Sequence, residues 1–374
     1  MLAAGGTGGH LFPALALAEE LAQRNVAVDL MTDQRGDRYG TDFPARQVYR
    51  VPSATISGER RSLLGTANTA MTLGRGILSA YRTLGRVRPG VVVGFGGYPS
   101  FPPLVAASLR RIPTALHEQN AVLGRANRML AGRVSVIATS FANVRHLDGG
   151  SSAKARFTGN PVRSAVLDRA GEAYLTPAAN GPISLLIFGG SQGARYFSDA
   201  VPPAVALMPF AIRQRLRITQ QCREEDLERV RQAYAECGVS ADLATFFRDL
   251  PERMARSHLV IGRAGASSVA ELTVLGRPAL LVPLPHAIDN DQLQNASQLA
   301  AAGGALCIAQ KDLTPQRLAH EIGQLAGHPD GLTRMAAAAK AEGRPDAVIR
   351  LADLVEELMS RRTVPIGAHA GATN

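Results

Sequence analysis

Two glycine-rich segments have the composition needed to hold an anion. The first is Gly5-Gly6-Thr7-Gly8-Gly9-His10 and the second is Gly189-Gly190-Ser191-Gln192-Gly193-Ala194-Arg195. Glycines let main-chain N–H groups approach a ligand closely. Each segment also runs into a stretch that reads as a helix, whose N-terminus favours negative charge. The first is neither a dinucleotide fingerprint nor a P-loop: Leu11 stands where a third glycine would fall, and the P-loop lysine is missing. His10 closes the first segment with an imidazole that titrates near neutral pH, as a general base must. Two such loops, one in each half, imply a cleft with an anion on each side.

Three further constellations are polar. Gly262-Arg263-Ala264-Gly265 leads from an apolar run into Ala266-Ser267-Ser268-Val269-Ala270-Glu271. Glu271 falls in the first turns of that helix, where a carboxylate suits either the helix dipole or a sugar hydroxyl. The segment Pro283–Asn295 is rich in amides, including Gln292 and Asn295, which suit a neutral polyol. Its His286, Asp289 and Asp291 match no standard metal spacing, so no metal site is expected. In the first half, Gly94–Ser100 with Tyr98, and His117-Glu118-Gln119-Asn120, both come directly after apolar runs. Both should open at the carboxyl edge of a sheet, where ligands bind in α/β folds.

The elements that carry these groups alternate. Strands are predicted at Val26–Met31, Val91–Phe95, Thr114–His117 and Val134–Thr139 in the first half. In the second they are predicted at Ser184–Phe188, Leu216–Gln220, Ala244–Phe247, Leu259–Gly262, Ala279–Val282 and Ala305–Ile308. Several are apolar throughout, as in parallel strands covered on both faces. Helices are predicted between them, at Pro13–Arg24, Glu224–Cys237 and Ser267–Leu275 among others. The pattern is that of doubly wound α/β domains. A length of 374 residues fits two of them. The division is predicted at 162/163, beside Gly159-Asn160-Pro161, giving domains 1–162 and 163–342. A last helix is predicted at 346–360, and a disordered tail at 361–374. Only Met1–Ala4 precede the first glycine loop, so its strand is a stub or the chain starts further upstream.

Composition excludes several classes. Hydrophobic residues are 46% and charged residues 19%, which rules out wholesale disorder. Three cysteines with no CxxC pair exclude a disulfide scaffold or cysteine zinc site and suit a reducing compartment. No signal peptide is visible. The uncharged run Pro89–Leu109 carries Gly94, Gly96, Gly97, Pro99, Pro102 and Pro103 and cannot form a continuous spanning helix. The net charge of +10 is unevenly placed. Residues 1–163 hold 20 Lys+Arg against 9 Asp+Glu, and the remainder holds 21 against 22. Within the basic half, Arg60–Arg88 has six arginines, interleaved apolar residues and no acid, the pattern of a surface for anionic lipid. Nucleic acid is not expected, because no binding module appears.

Taken in order, GGTGGH, GGYPS, HEQN, GNPVR, GGSQGAR and the GAxxVAE helix start resemble the MurG-type N-acetylglucosaminyltransferases of peptidoglycan synthesis, from Gly5 to about Met359. The resemblance implies a GT-B fold, two Rossmann-like domains facing across a cleft, with the last helix packed back on the first. It implies GlcNAc transfer from UDP-GlcNAc to the 4-hydroxyl of the muramoyl sugar of lipid I, giving lipid II. The place would be the cytoplasmic face of the inner membrane, peripherally bound, with cell-wall synthesis proteins as possible partners and roles in cell shape and division. By matching motif, Ser191, the main chain of Phe247, the stretch Ala266, Ser267, Ser268, Val269, Ala270 and Glu271, and Gln292 with Asn295 would hold the donor. Thr7, Gly8, Gly9, Asn120 and Arg163 would complete that site. Gly5, Gly6 and Tyr98 would lie on the acceptor side. His10 is the first candidate base and Glu118 the second, in a single inverting displacement with no essential cofactor or metal. A diacylglycerol-using GT-B transferase and a dinucleotide-binding oxidoreductase remain as alternatives.

Overall fold

The computed structural model describes residues 1–5, 8–33, 43–53, 63–285 and 287–363. The chain forms two compact units, one of Met1–Arg163 with residues from Asp346 onward, the other of Ser164–Pro345.

The first unit contains β1 (Leu2–Ala3), α1 (Gly8–Gln23), β2 (Asp29–Thr32), β3 (Gln47–Arg50), α2 (Leu63–Val87), β4 (Val92–Gly94), α3 (Gly97–Leu109), β5 (Thr114–Glu118), α4 (Arg125–Ala131), β6 (Val136–Thr139) and β7 (Ala155–Phe157). All strands pair in parallel, in the order β3-β2-β1-β4-β5-β6-β7. Strand alternation sorts the apolar side chains onto two faces. Leu2, Val93, Ala115 and Val136 pack with Leu17 and Leu21 of α1. Ala3, Val92, Leu116 and Ile137 face the opposite way, with Leu84, Leu104 and Leu130 from α2, α3 and α4.

The second unit contains α5 (Ser164–Leu167), β8 (Ile183–Phe188), α6 (Gly190–Ala206), α7 (Phe210–Arg213), β9 (Leu216–Gln221), α8 (Leu227–Glu236), β10 (Ala241–Ala244), α9 (Leu250–Ala255), β11 (Leu259–Gly262), α10 (Ala266–Leu275), β12 (Ala279–Leu281), α11 (Asp291–Ala301), β13 (Ala305–Cys307), α12 (Pro315–Gly327) and α13 (Pro329–Glu342). Its parallel order is β10-β9-β8-β11-β12-β13. Ile183, Leu185 and Ile187 of β8 pack with Phe197 and Val201 of α6, Tyr234 of α8 and Ile322 of α12. The final helix, α14 (Ala347–Thr363), belongs to the first unit. Its Leu351, Ala352, Val355 and Leu358 enter the α1 core. Arg24 of α1 meets Asp353 at 2.6 Å and Glu356 at 3.0 Å.

Several expectations are corrected. β3 and β7 carry no strand signal in the sequence: both are edge strands with mostly exposed side chains and no apolar run. The strand expected at Ala244–Phe247 is Ala241–Ala244, because pairing Ala241 with Ile218 and Ala244 with Gln221 sends Phe246 and Phe247 into the next loop. The first helix opens at Gly8 rather than Pro13, so His10 sits in a helical turn and not at a loop tip. A proline is tolerated there because it forfeits a single bond, to the Gly9 carbonyl. Arg361, Arg362 and Thr363, expected in the tail, continue α14; the rest of the expected tail, residues 364–374, lies outside the described residues. So do Gly6, Thr7, Arg60, Arg61 and His286. β1 has two residues.

Candidate active site

In the first unit the winding reverses between the neighbours β1 and β4, and ligands bind outside the carboxyl ends of strands at such a point. Three loops meet there. The first leaves β1, where a β-carbon on Gly5 would lie 2.9 Å from Asp33 Oδ1 and 3.0 Å from Thr32 Oγ1, so a larger residue would have to push these side chains aside. The second leaves β4. Gly96 and Gly97 there have φ of +81° and +66°, a conformation that glycine adopts without strain. Ser100 Oγ ties this turn down by donating to the carbonyls of Gly96 (2.9 Å) and Gly97 (3.0 Å). The third joins the end of β5 to α4 and begins at Gln119.

His10 lies where the three meet. Its Nδ1 is 3.2 Å from Gln119 Oε1, and a β-carbon on Gly97 would lie 3.2 Å from its Nε2. Burial pushes the His10 pKa below the ordinary imidazole value, opposed by its bonds to Gln119 and the Phe95 backbone, so the ring is neutral near pH 7. Gln119 Nε2 donates to the Phe95 carbonyl at 2.9 Å and lies 3.0 Å from His117 Nδ1. His117 Nε2 is 3.1 Å from the Gly159 carbonyl. His117 is fully buried, which holds its pKa down at about 4; the bond to Gly159 opposes this and the His10 ring adds to it.

Glu118 takes a different part from the one expected. Its Oε1 accepts from the Asn120 main-chain N–H (2.9 Å) and side chain (3.3 Å), and its Oε2 from the Gly124 N–H (2.9 Å) and Asn127 Nδ2 (2.6 Å). Burial raises its pKa, and these donors oppose the rise. A carboxylate so engaged holds the turn at 120–124, with both oxygens accepting from it or from Asn127. Asn120 is positioned by it. Arg163 lies with its guanidinium 5.1 Å from the centre of the Phe12 ring of α1. Tyr98 sits in the first turn of α3, and Gly8 and Gly9 open α1.

The second unit repeats the reversal, between β8 and β11. The helices after these strands, α6 and α10, begin on Gly189 and Gly265 with no side-chain cap. Their first N–H groups therefore keep their capacity for a ligand anion. Ser191 lies in the opening turn of α6. In α10, Ala266, Val269 and Glu271 are buried, Ser268 and Ala270 are partly exposed, and Ser267 Oγ is buried with no hydrogen-bond partner. The Phe247 ring is buried under the Arg253 guanidinium at 4.4 Å. Gln292 Oε1 accepts from the Leu284 N–H at 3.0 Å, so its NH₂ group is the end offered outward. Asn295, expected beside Gln292 at the sugar, is fully buried, and its Nδ2 donates to the Ala264 carbonyl at 3.1 Å, holding the loop ahead of α10.

Two organising residues carry no sequence signal of their own. Gln119 is visible only as part of HEQN. Buried Arg263 grips the β12 exit through the carbonyls of Val282 (3.0 Å) and Pro283 (3.2 Å) and through Gln310 Oε1 (2.6 Å). A lone arginine directly after an apolar strand is the one clue. Among the described residues, no group of three or more His, Cys, Asp or Glu side chains could hold a metal ion. None of the described helices is long and apolar enough to cross a membrane. On the outward face of α2, Met71 (56% exposed) and Leu78 (48%) alternate with exposed Arg75, Arg82 and Arg86.

Two family models match the chain: the glycosyltransferase family 28 N-terminal domain at residues 1–139 and the family 28 C-terminal domain at residues 184–351. A protein of Rhodospirillum centenum is 55% identical over 355 residues, 95% of this chain and 93% of its own. One of Rhodopseudomonas palustris is 54% identical, covering 95% and 96%. Both are named UDP-N-acetylglucosamine–N-acetylmuramyl-(pentapeptide) pyrophosphoryl-undecaprenol N-acetylglucosamine transferase. The crystal structure of Acinetobacter baumannii MurG superposes with a TM-score of 0.77 at 30% identity, over 96% of this chain and 98% of that one.

Proposed function

The chain belongs to the MurG-type transferases of glycosyltransferase family 28, and from that premise we propose its reaction in residue terms. It is a glycosyltransferase that moves GlcNAc from UDP-GlcNAc to lipid I, forming lipid II for peptidoglycan. The observation that carries this reading is identity above one half across both units, and so across both crevices, with proteins named for that transfer.

The neutral second unit takes the nucleotide sugar. Main-chain N–H groups at the start of α6, around Ser191, meet the diphosphate; the Phe247 main chain meets uracil; Glu271 meets the ribose; and the Gln292 amide meets the GlcNAc hydroxyls. The first unit takes the acceptor, its glycine loop against the lipid diphosphate. The acceptor 4-oxygen attacks the anomeric carbon, the bond from that carbon to UDP breaks, and the hydroxyl proton passes to His10 Nε2. The configuration inverts. Helix N-termini and loop amides stabilise the charge that grows on the leaving diphosphate, and no bound metal is required. Arg75, Arg82 and Arg86, among Met71, Leu78 and Tyr81, dock the unit peripherally on the anionic cytoplasmic face of the inner membrane.

The test is labelled UDP-GlcNAc with a lipid I analogue, with and without chelator, beside a diacylglycerol acceptor. Disaccharide-lipid and UDP should appear in equal amounts with lipid I alone. Transfer to diacylglycerol instead would replace the acceptor assignment. Complete, Mg²⁺-reversible loss of single-turnover chemistry in chelator would remove the metal-free step.

A further inference from the structure

We infer that Gln119 is a positioning residue that fixes the hydrogen of His10 on Nδ1 and so keeps the Nε2 lone pair for the incoming proton. The inference rests on His10 being the base. The orientation of the Gln119 amide is dictated by its neighbours. Its Nε2 lies 2.9 Å from the Phe95 carbonyl oxygen and 3.2 Å from the His117 carbonyl oxygen. Both only accept, so turning the amide over would set its oxygen against two acceptors. The nitrogen must point inward, and Oε1 then faces His10 Nδ1 at 3.2 Å. An amide oxygen cannot donate, so Nδ1 carries the hydrogen. In a neutral ring the other nitrogen is bare.

The same logic runs further back. The Gly159 carbonyl, 3.1 Å from His117 Nε2, can only accept, which puts the hydrogen of His117 on Nε2 and leaves its Nδ1 bare toward Gln119 Nε2 at 3.0 Å. One directional chain thus runs from Gly159 through His117 and Gln119 to His10. Opposite tautomers of the two rings are its signature. At the far end, Gly97 has no side chain to press on His10 Nε2. Without Gln119, Nδ1 loses this acceptor, and a ring with its hydrogen on Nε2 cannot take a proton there.

The direct test is long-range ¹H–¹⁵N NMR of the full chain labelled with ¹⁵N-histidine, the two rings being assigned by His10→Ala and His117→Asn. Nδ1 of His10 and Nε2 of His117 should resonate as hydrogen-bearing nitrogens, and their partners as bare ones. Gln119→Met should move His10 toward the other tautomer. It should also lower kcat roughly 10- to 100-fold, part of what a positioned base supplies, with KM for UDP-GlcNAc within about twofold. Gln119→Glu is the rescue: a carboxylic acid donates to the Phe95 carbonyl and still accepts from Nδ1, restoring the tautomer and most of kcat. Hydrogen on His10 Nε2 in the unaltered protein overturns the inference, as does a Gln119→Met protein with unchanged tautomer and kcat. The wild-type spectrum needs neither variant to fold nor any acceptor. If the tautomers hold while His10→Ala still turns over normally, it is the base assignment that falls.

Discussion

The two units share one topology but handle polar groups at their switch points in different ways. In the first, side chains bond to side chains: His10, Gln119 and His117 form one chain, and Glu118 with Asn120 and Asn127 another. In the second, amide side chains such as Asn295 and Gln292 brace the main chain beside α6 and α10, which start on uncapped glycines as α3 and α4 of the first do. Charge divides the same way. With α14 counted where it packs, the first unit has 23 Lys+Arg against 13 Asp+Glu, and the second has 18 against 18. A network of oriented side chains controls where a proton sits. A frame of N–H groups holds an anion without any titrating group. On the proposed assignment, the first would serve an acceptor that must lose a proton and the second a nucleotide sugar.

The sharpest way to break that division is His10→Ala. It should reduce kcat by about 10²–10⁴ while calorimetry shows UDP-GlcNAc affinity nearly unchanged; a collapse of donor affinity would mean the division of labour is wrong. His117 gives the next effect. Its folded pKa of about 4 lies below the ordinary imidazole value of 6.5, so the unfolded chain binds the extra proton between those two values. The stability from keeping this ring neutral is therefore complete above pH 6.5 and lost as pH falls toward 4, on the order of 3 kcal/mol. Denaturant melts across that range should show the slope, and a pH-flat melt would contradict the buried neutral ring. In the second unit, Gln292→Ala should weaken UDP-GlcNAc by about 1–2 kcal/mol and leave UDP itself almost untouched; equal losses for both would move Gln292 off the sugar. Replacing Arg75, Arg82 or Arg86 singly by Gln should cost about 1 kcal/mol each in binding to vesicles rich in anionic lipid. That loss should vanish with neutral lipid. Persistence there would point to a contact other than charge.

How much of this is legible in the sequence depends on the physics behind each feature. Buried parallel strands such as Leu259–Gly262 announce themselves because both faces are apolar. Edge strands such as Gln47–Arg50 do not, since solvent imposes no pattern on them. The glycine loops are readable because a turn such as that at Gly96 and Gly97 needs the positive φ that glycine adopts without strain. The exact start of the first helix is not, because Pro13 signals a first turn and here lies one turn inside. Amide side chains are the hardest to place. Asn295 reads like a sugar ligand and is a buried brace, while Gln119 reads like filler and sits between two histidines. An amide can donate or accept, so only its neighbours decide what it does.

The return of α14 to the first unit has a consequence for the order of assembly on the ribosome. Leu351, Ala352, Val355 and Leu358 complete the core around α1 but are translated after the whole of Ser164–Pro345. At roughly 5–20 residues per second, that core waits on the order of 10–40 s after its own last strand has emerged. The second unit is continuous in sequence and needs no later segment. The second unit can therefore reach its native fold while the more basic first unit is still unfinished, with the face of α1 that will receive α14 exposed.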